Sequence, residues 1–257
     1  VNVTEMASTL AIAILLFGNT QTLIGAATDT VDELSAYGKL LLPVMTTAMA
    51  AQGGTTSSGA LYVGTAFFDT LLSSLISQWL VPMIYGFLAL GVANSAMGQD
   101  ILKKLRDLLK GAATWCLKTV LYIFTGYMTI TGVISGTTDA AALKAAKLTI
   151  SGVVPVVGGI LSDASEAVLV SAGMVRNAAG IYGILAIGAV FLTPFLRIGC
   201  HYLLLRLTGA VCAVFGVKRC SELISQFSAA MGLELAMTGS VCLLQLISTV
   251  CFLRGVG

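Results

Sequence analysis

An all-α, polytopic membrane protein is what this sequence predicts, and three observations predict it. Of the 257 residues, 57% are hydrophobic and only 10% are charged, whereas soluble domains carry roughly 25% charged and about 45–50% apolar residues. The mean hydropathy is +0.94, and a soluble fold of this length could not keep so much apolar surface from water. The apolar runs are long and do not alternate, which favours helices over a barrel. Disordered, collagenous, coiled-coil and disulfide-rich classes fall outside this composition. At about 20 residues per crossing, the runs predict about seven to eight spans in a single membrane domain, 1–257.

The elements follow in order. Ala7 to Ala27 is the first apolar run, and a polar loop with Asp29, Asp32, Glu33 and Lys39 is expected after it. From Leu40 to Ala96 the only charge is Asp69, and Pro43, the Gly53–Gly59 segment and Pro82 punctuate a stretch too long for one span. Gln99–Lys110 places Ile101, Leu102, Leu105, Leu108 and Leu109 on one stripe, the pattern of an amphipathic helix. Lys103, Lys104, Arg106 and Lys110 form its polar face, a candidate surface for anionic lipid or a partner; a solvated linker helix is the plainer alternative. Trp115 to Gly136, Leu148 to Gly173, Ala178 to Leu196 and Ile198 to Val217 follow, and Ala229–Leu253 closes the chain. Glu234, near the start of that last run, is expected at the interface.

Charge and chemistry narrow the function. A net charge of +2 offers no basic face for nucleic acid. The six cysteines are scattered through apolar stretches without a CxxC and read as packing residues. No Walker A, GxGxxG, GxSxG or HExxH pattern occurs, and a single histidine cannot build a His-based metal site. No enzyme activity, cofactor or metal is therefore expected. The chain begins at Val1 with no basic region before Ala7, which suggests either removal of upstream residues or a fragment.

An internal repeat organises the chain. At offsets rising from about 110 to about 118 residues, Thr28-Asp29 falls on Thr138-Asp139, Pro43 on Pro155, Pro82 on Pro194, and Gly98 on Gly216. The expected units are 7–112 and 117–228, with 229–254 a terminal span. The basic segments Gly98–Lys118 and Lys218-Arg219 should both be cytoplasmic, which makes the repeats parallel.

Gly152–Gly173, which contains PVVGG followed by SDASE, KLLLPVMTTAMAAQGG at Lys39–Gly54 and FLTPFLRIGCHYLLLRL at Phe191–Leu207 together resemble the stage III sporulation protein AE family of endospore-forming bacteria. The resemblance implies a multi-pass protein of the mother-cell membrane around the forespore. It implies a permease-like subunit of an intercellular secretion or channel complex, with ring-forming proteins, other membrane proteins and a cytoplasmic secretion-type ATPase as partners. A homo-oligomer is a further assembly it admits. Two other functions stay open: an autonomous secondary transporter of a small solute, and a membrane scaffold that assembles soluble rings.

The candidate site is a polar path. Pro155 removes a backbone donor, and Gly158 and Gly159 permit close backbone approach. Irregular backbone at membrane depth is tolerated where it is buried in protein or lines a wet cavity. Asp163 and Glu166, three residues apart, would share a helix face. Pro43, Gly53 and Gly54 occupy the related place in the first unit, and the two broken segments are expected to meet. Asp69 is added because an acid within an apolar stretch usually faces a cavity or a partner. A turn or packing site at the membrane surface is the alternative reading of the broken segments.

Overall fold

The structure is a computed structural model. It describes residues 3–97, 100–153 and 158–254, with side chains placed over 7–96, 101–131 and 170–253. The described residues are helical apart from one short turn after each of two helices: α1 (Val3–Ala51), α2 (Thr55–Leu75), a π-helical turn (Ile76–Leu80), α3 (Val81–Met97), α4 (Asp100–Val153), α5 (Gly158–Val214) and α6 (Lys218–Arg254).

Among the described residues four helical stretches are long and apolar enough to cross a membrane: Ala7–Ala51, Thr55–Ala96, Val170–Val214 and Lys218–Leu253. This is fewer than the seven or eight spans expected, because the expected breaks do not break the helices. The polar loop at Asp29–Lys39 lies inside α1. Its acids are exposed, while Ile24, Ala27, Val31, Leu34, Leu42 and Met45 form one buried stripe through the same segment. That stripe keeps the helical period, so the charges occupy one face of a continuous helix.

Prolines are absorbed in the same way. Pro43 and Pro194 lie inside α1 and α5. Pro82 follows the π-helical turn, where the Val81 N–H donates to the Ile76 carbonyl, one residue further back than in an α-helix. The wider turn accommodates the ring and the missing donor, which would otherwise disrupt the ladder. Threonine hydroxyls are satisfied within their own helices: Thr46 Oγ1 donates to the Leu42 carbonyl at 2.6 Å and Thr47 Oγ1 to the Pro43 carbonyl at 2.9 Å.

Glycine ends the helices instead. Gly53 has φ 93° and Gly216 φ 78°. At each, the chain makes the paired bonds of a Schellman turn. Gly53 N–H donates to Ala50 at 2.9 Å and Gly54 N–H to Met49 at 3.1 Å; Gly216 N–H donates to Ala213 at 3.1 Å and Val217 N–H to Cys212 at 3.0 Å. The break expected over Gly53–Gly59 therefore shrinks to a short turn, and Thr55 already begins α2.

The helices contribute to two compact units. The first takes Val1–Glu33, Leu71–Thr119 and Val190–Val241. Its core packs Leu23 and Ala27 of α1 against Ile198 of α5 and Met231 of α6. The second takes Leu34–Thr70, Val120–Ala189 and Cys242–Gly257. There Phe68 of α2 meets Phe124 and Tyr127 of α4, with ring centroids 5.4 and 5.9 Å apart. Tyr127 Oη donates to the Ala60 carbonyl at 3.0 Å, and a Cβ on Gly64 would collide with the Tyr127 ring. Lipid offers no hydrophobic drive between helices, so such close packing and hydrogen bonds hold them.

Candidate functional site

In the second unit, Asp69 of α2 is buried and held by two neutral donors. Ser35 Oγ of α1 donates to Oδ2 at 2.6 Å, and Gln245 Nε2 of α6 donates to Oδ1 at 2.8 Å. Gly38 makes this possible, since a Cβ there would strike the Gln245 amide. One turn before Asp69, Thr65 Oγ1 donates to Ser248 Oγ at 3.0 Å. The result is a polar ladder across α1, α2 and α6. Among the described residues no Lys or Arg lies within ion-pair distance of Asp69. A carboxyl group held this way can carry a proton or face a cation.

In the first unit, α3, α4 and α6 build a second polar cluster. Arg106 lies 2.9 Å from Asp107 and 3.8 Å from Glu222, and Asn94 Nδ2 donates to Glu222 Oε1 at 3.1 Å. With its amide oriented as the surrounding donors and acceptors require, Gln226 donates to the Gly91 carbonyl at 2.8 Å and accepts from Arg106 Nη1 at 2.7 Å. Beside them is a cleft of about 600 Å³ lined by Lys103, Arg106, Lys110, Lys218 and Glu222. The two basic segments expected on one side thus line one cleft.

Arg106 departs from the expected exposed cationic face. It is buried, while Ile101, Leu105 and Leu108 of the apolar stripe are exposed. Lys103 and Lys110 stay exposed and Leu102 and Leu109 are half-buried, so the departure is confined to Arg106 and to the exposed part of the apolar stripe. An apolar stripe can face lipid, and the one inward cation is the one with carboxylate and amide partners. Lys104 is exposed.

Glu234 is a further correction. It is fully buried rather than interfacial, and among the described residues neither carboxyl oxygen has a hydrogen-bond partner. Thr238 Oγ1 donates to its main-chain carbonyl at 3.0 Å. On α6, Gln226, Glu234, Thr238, Gln245 and Ser248 are all buried and fall within about a third of the helix circumference.

Of the proposed path, Pro155 lies outside the described residues, while Gly158, Gly159, Asp163 and Glu166 fall in the first turns of α5, where no side-chain surroundings are described. Pro43 is exposed on α1, Gly53 and Gly54 form the turn after it, and none of the three bonds to Asp69. Asp69 does enter a network. The sequence alone does not mark its partners Ser35 and Gln245, nor Glu222, Gln226 and Glu234, as site residues. The signal available was the polar stripe on α6, legible as helical spacing inside an apolar run. Among the described residues no group of three or more His, Cys, Asp or Glu could hold a metal ion.

The sequence profile of the stage III sporulation protein AE family matches residues 1–255. The chain is similar to Stage III sporulation protein AE of Bacillus subtilis (strain 168), 23% identical over 220 residues, covering 84% of this chain and 55% of that protein. It thus spans about half the length of that curated relative. No solved structure matches the chain.

Proposed function

Because this chain belongs to the stage III sporulation protein AE family, and so has a role in sporulation, we propose that it is the permease-like membrane subunit of an intercellular channel or secretion complex of endospore formation. The family match along nearly the whole chain carries this reading, together with helices long and apolar enough to cross a membrane. It sits in the mother-cell membrane around the forespore as a multi-pass protein and works without catalytic chemistry. Its partners are ring-forming and other membrane proteins and a cytoplasmic secretion-type ATPase. The clustering of Lys103, Lys110 and Lys218 in one cleft supports placing both basic segments on the cytoplasmic side. The exposed apolar surface of α5, including Leu185, Leu192, Leu203 and Leu207, supports a lateral face for lipid or further subunits, a second copy among them. The tandem duplication remains part of this proposal, as does a polar path through Pro43, Gly53, Gly54, Asp69, Pro155, Gly158, Gly159, Asp163 and Glu166.

The test uses the full natural protein in its sporulating host. Changing Lys103 and Lys104 to Glu should lower both co-purification of partners and the yield of heat-resistant spores, at unchanged membrane levels. Normal spore yield after deletion of the gene would overturn the proposal. A second reading, the autonomous secondary transporter, is favoured by Asp69 and Glu234, two acids buried inside apolar helices. Solute uptake by proteoliposomes holding this protein alone would select it.

A further inference from the structure

A second cleft in the first unit, of about 470 Å³, is bounded by α4, α5 and α6. Among the described residues, Lys110 and Arg206 line it with Thr114, Ser225, Ser228 and Tyr202, and no carboxylate does. This separates it from the neighbouring cleft, where Asp107 and Glu222 offset the cations. Arg206 is held in place: Nη1 donates to Tyr202 Oη at 2.6 Å, and the guanidinium carbon lies 5.8 Å from that ring's centroid. Only one of its N–H donors is used in that bond, so others remain to meet an anion.

The rest of the surface is apolar. Gly232, Leu233 and Ala236 of α6 also line the cleft. Leu203 and Leu207 flank Arg206 on exposed α5. Arg206 stands about three turns before the Gly216 turn, after which Lys218 and Arg219 open α6. Two cations and hydroxyls thus converge in a cleft whose surroundings belong in hydrocarbon.

We propose that this cleft binds the phosphodiester headgroup of an anionic phospholipid, with the acyl chains lying along the exposed leucines of α5. The shared chemistry is a phosphate anion, and the apolar rim assigns it to lipid rather than to free phosphate. Two cations converging on one phosphate satisfy it with charge-assisted hydrogen bonds, and a zwitterionic headgroup would bring its own cation against them. This inference needs only the membrane setting and stands apart from the channel reading.

The experiment takes the full natural protein in neutral detergent and follows thermal unfolding and native mass spectra. It adds phosphatidylglycerol, phosphatidylcholine or inorganic phosphate. Phosphatidylglycerol should be retained and should raise the unfolding temperature, while the other two should not. Arg206→Gln and Lys110→Gln should each weaken retention about fivefold, and the pair about 25-fold, from the interaction expected per basic residue at an anionic surface. Arg206→Lys, which keeps the charge, should stay within about twofold. Lys39→Gln, at an exposed lysine of α1 outside the cleft, should change nothing. Unchanged phosphatidylglycerol retention in the double variant would overturn the proposal, as would an equal loss in Lys39→Gln. A stabilisation by inorganic phosphate that matches the lipid would overturn the lipid assignment.

Discussion

Asp69 and Glu234 are both acids buried inside apolar helices, yet their surroundings differ. Asp69 has a donor on each carboxyl oxygen, one from α1 and one from α6. Glu234 has none among the described residues. The first acid therefore joins three helices, and removing a donor would leave a buried polar group unpaired. The second contributes nothing visible to holding the helices together. A buried polar group without a partner is destabilising, so its presence points to something other than stability.

That comparison can be broken most severely at Gly38. Replacing it with Leu forces a side chain into the space of the Gln245 amide and displaces that amide from Asp69. The expected loss is about 3 kcal/mol, as for severe overpacking, read as a lower unfolding temperature in detergent. An unchanged unfolding temperature would mean that the ladder around Asp69 does not hold these helices.

Gln245→Leu should cost about 2 kcal/mol, because it strips one donor from a buried carboxyl while keeping similar bulk. Asp69→Asn in the same background should recover part of that loss, since a neutral amide tolerates the missing donor better. Additive losses in the double variant would show that Asp69 and Gln245 do not interact, and the cycle measures this directly.

Glu234→Leu should have the opposite sign, a gain of about 1 kcal/mol, because an unpaired buried carboxyl gives way to an apolar group. If Glu234 serves the complex, spore yield should fall even as stability rises, the usual conflict between a functional site and folding. A stability loss from Glu234→Leu would reveal a partner for the acid and erase the contrast with Asp69.

The helices follow the same division between what pattern shows and what packing decides. Apolar length made helical spans legible, and Asp69 stood out as a lone charge. Charge and proline do not mark their ends. The stripe from Ile24 to Met45 runs through the Asp29–Lys39 segment, and the π-helical turn absorbs Pro82. Gly53 and Gly216 are the positions where φ turns positive, and they end α1 and α5. Arg106 was placed by period on the polar face of α4, but partners on α3 and α6 draw it inward.

The sequence by itself determined that this is a helical membrane protein, excluded the soluble catalytic motifs, and carried the family resemblance that the profile match established. These are properties of composition, length and local pattern, and each can be read one segment at a time. Which polar groups meet was decided only by the tertiary structure. Ser35 and Asp69 are 34 residues apart in the chain, and Asp69 and Gln245 are 176 apart. Their meeting depends on how each helix is rotated about its axis and where a glycine lets another side chain in. In an apolar helix many rotations bury similar surface, so hydropathy does not choose among them. Close packing and the pairing of buried polar groups do.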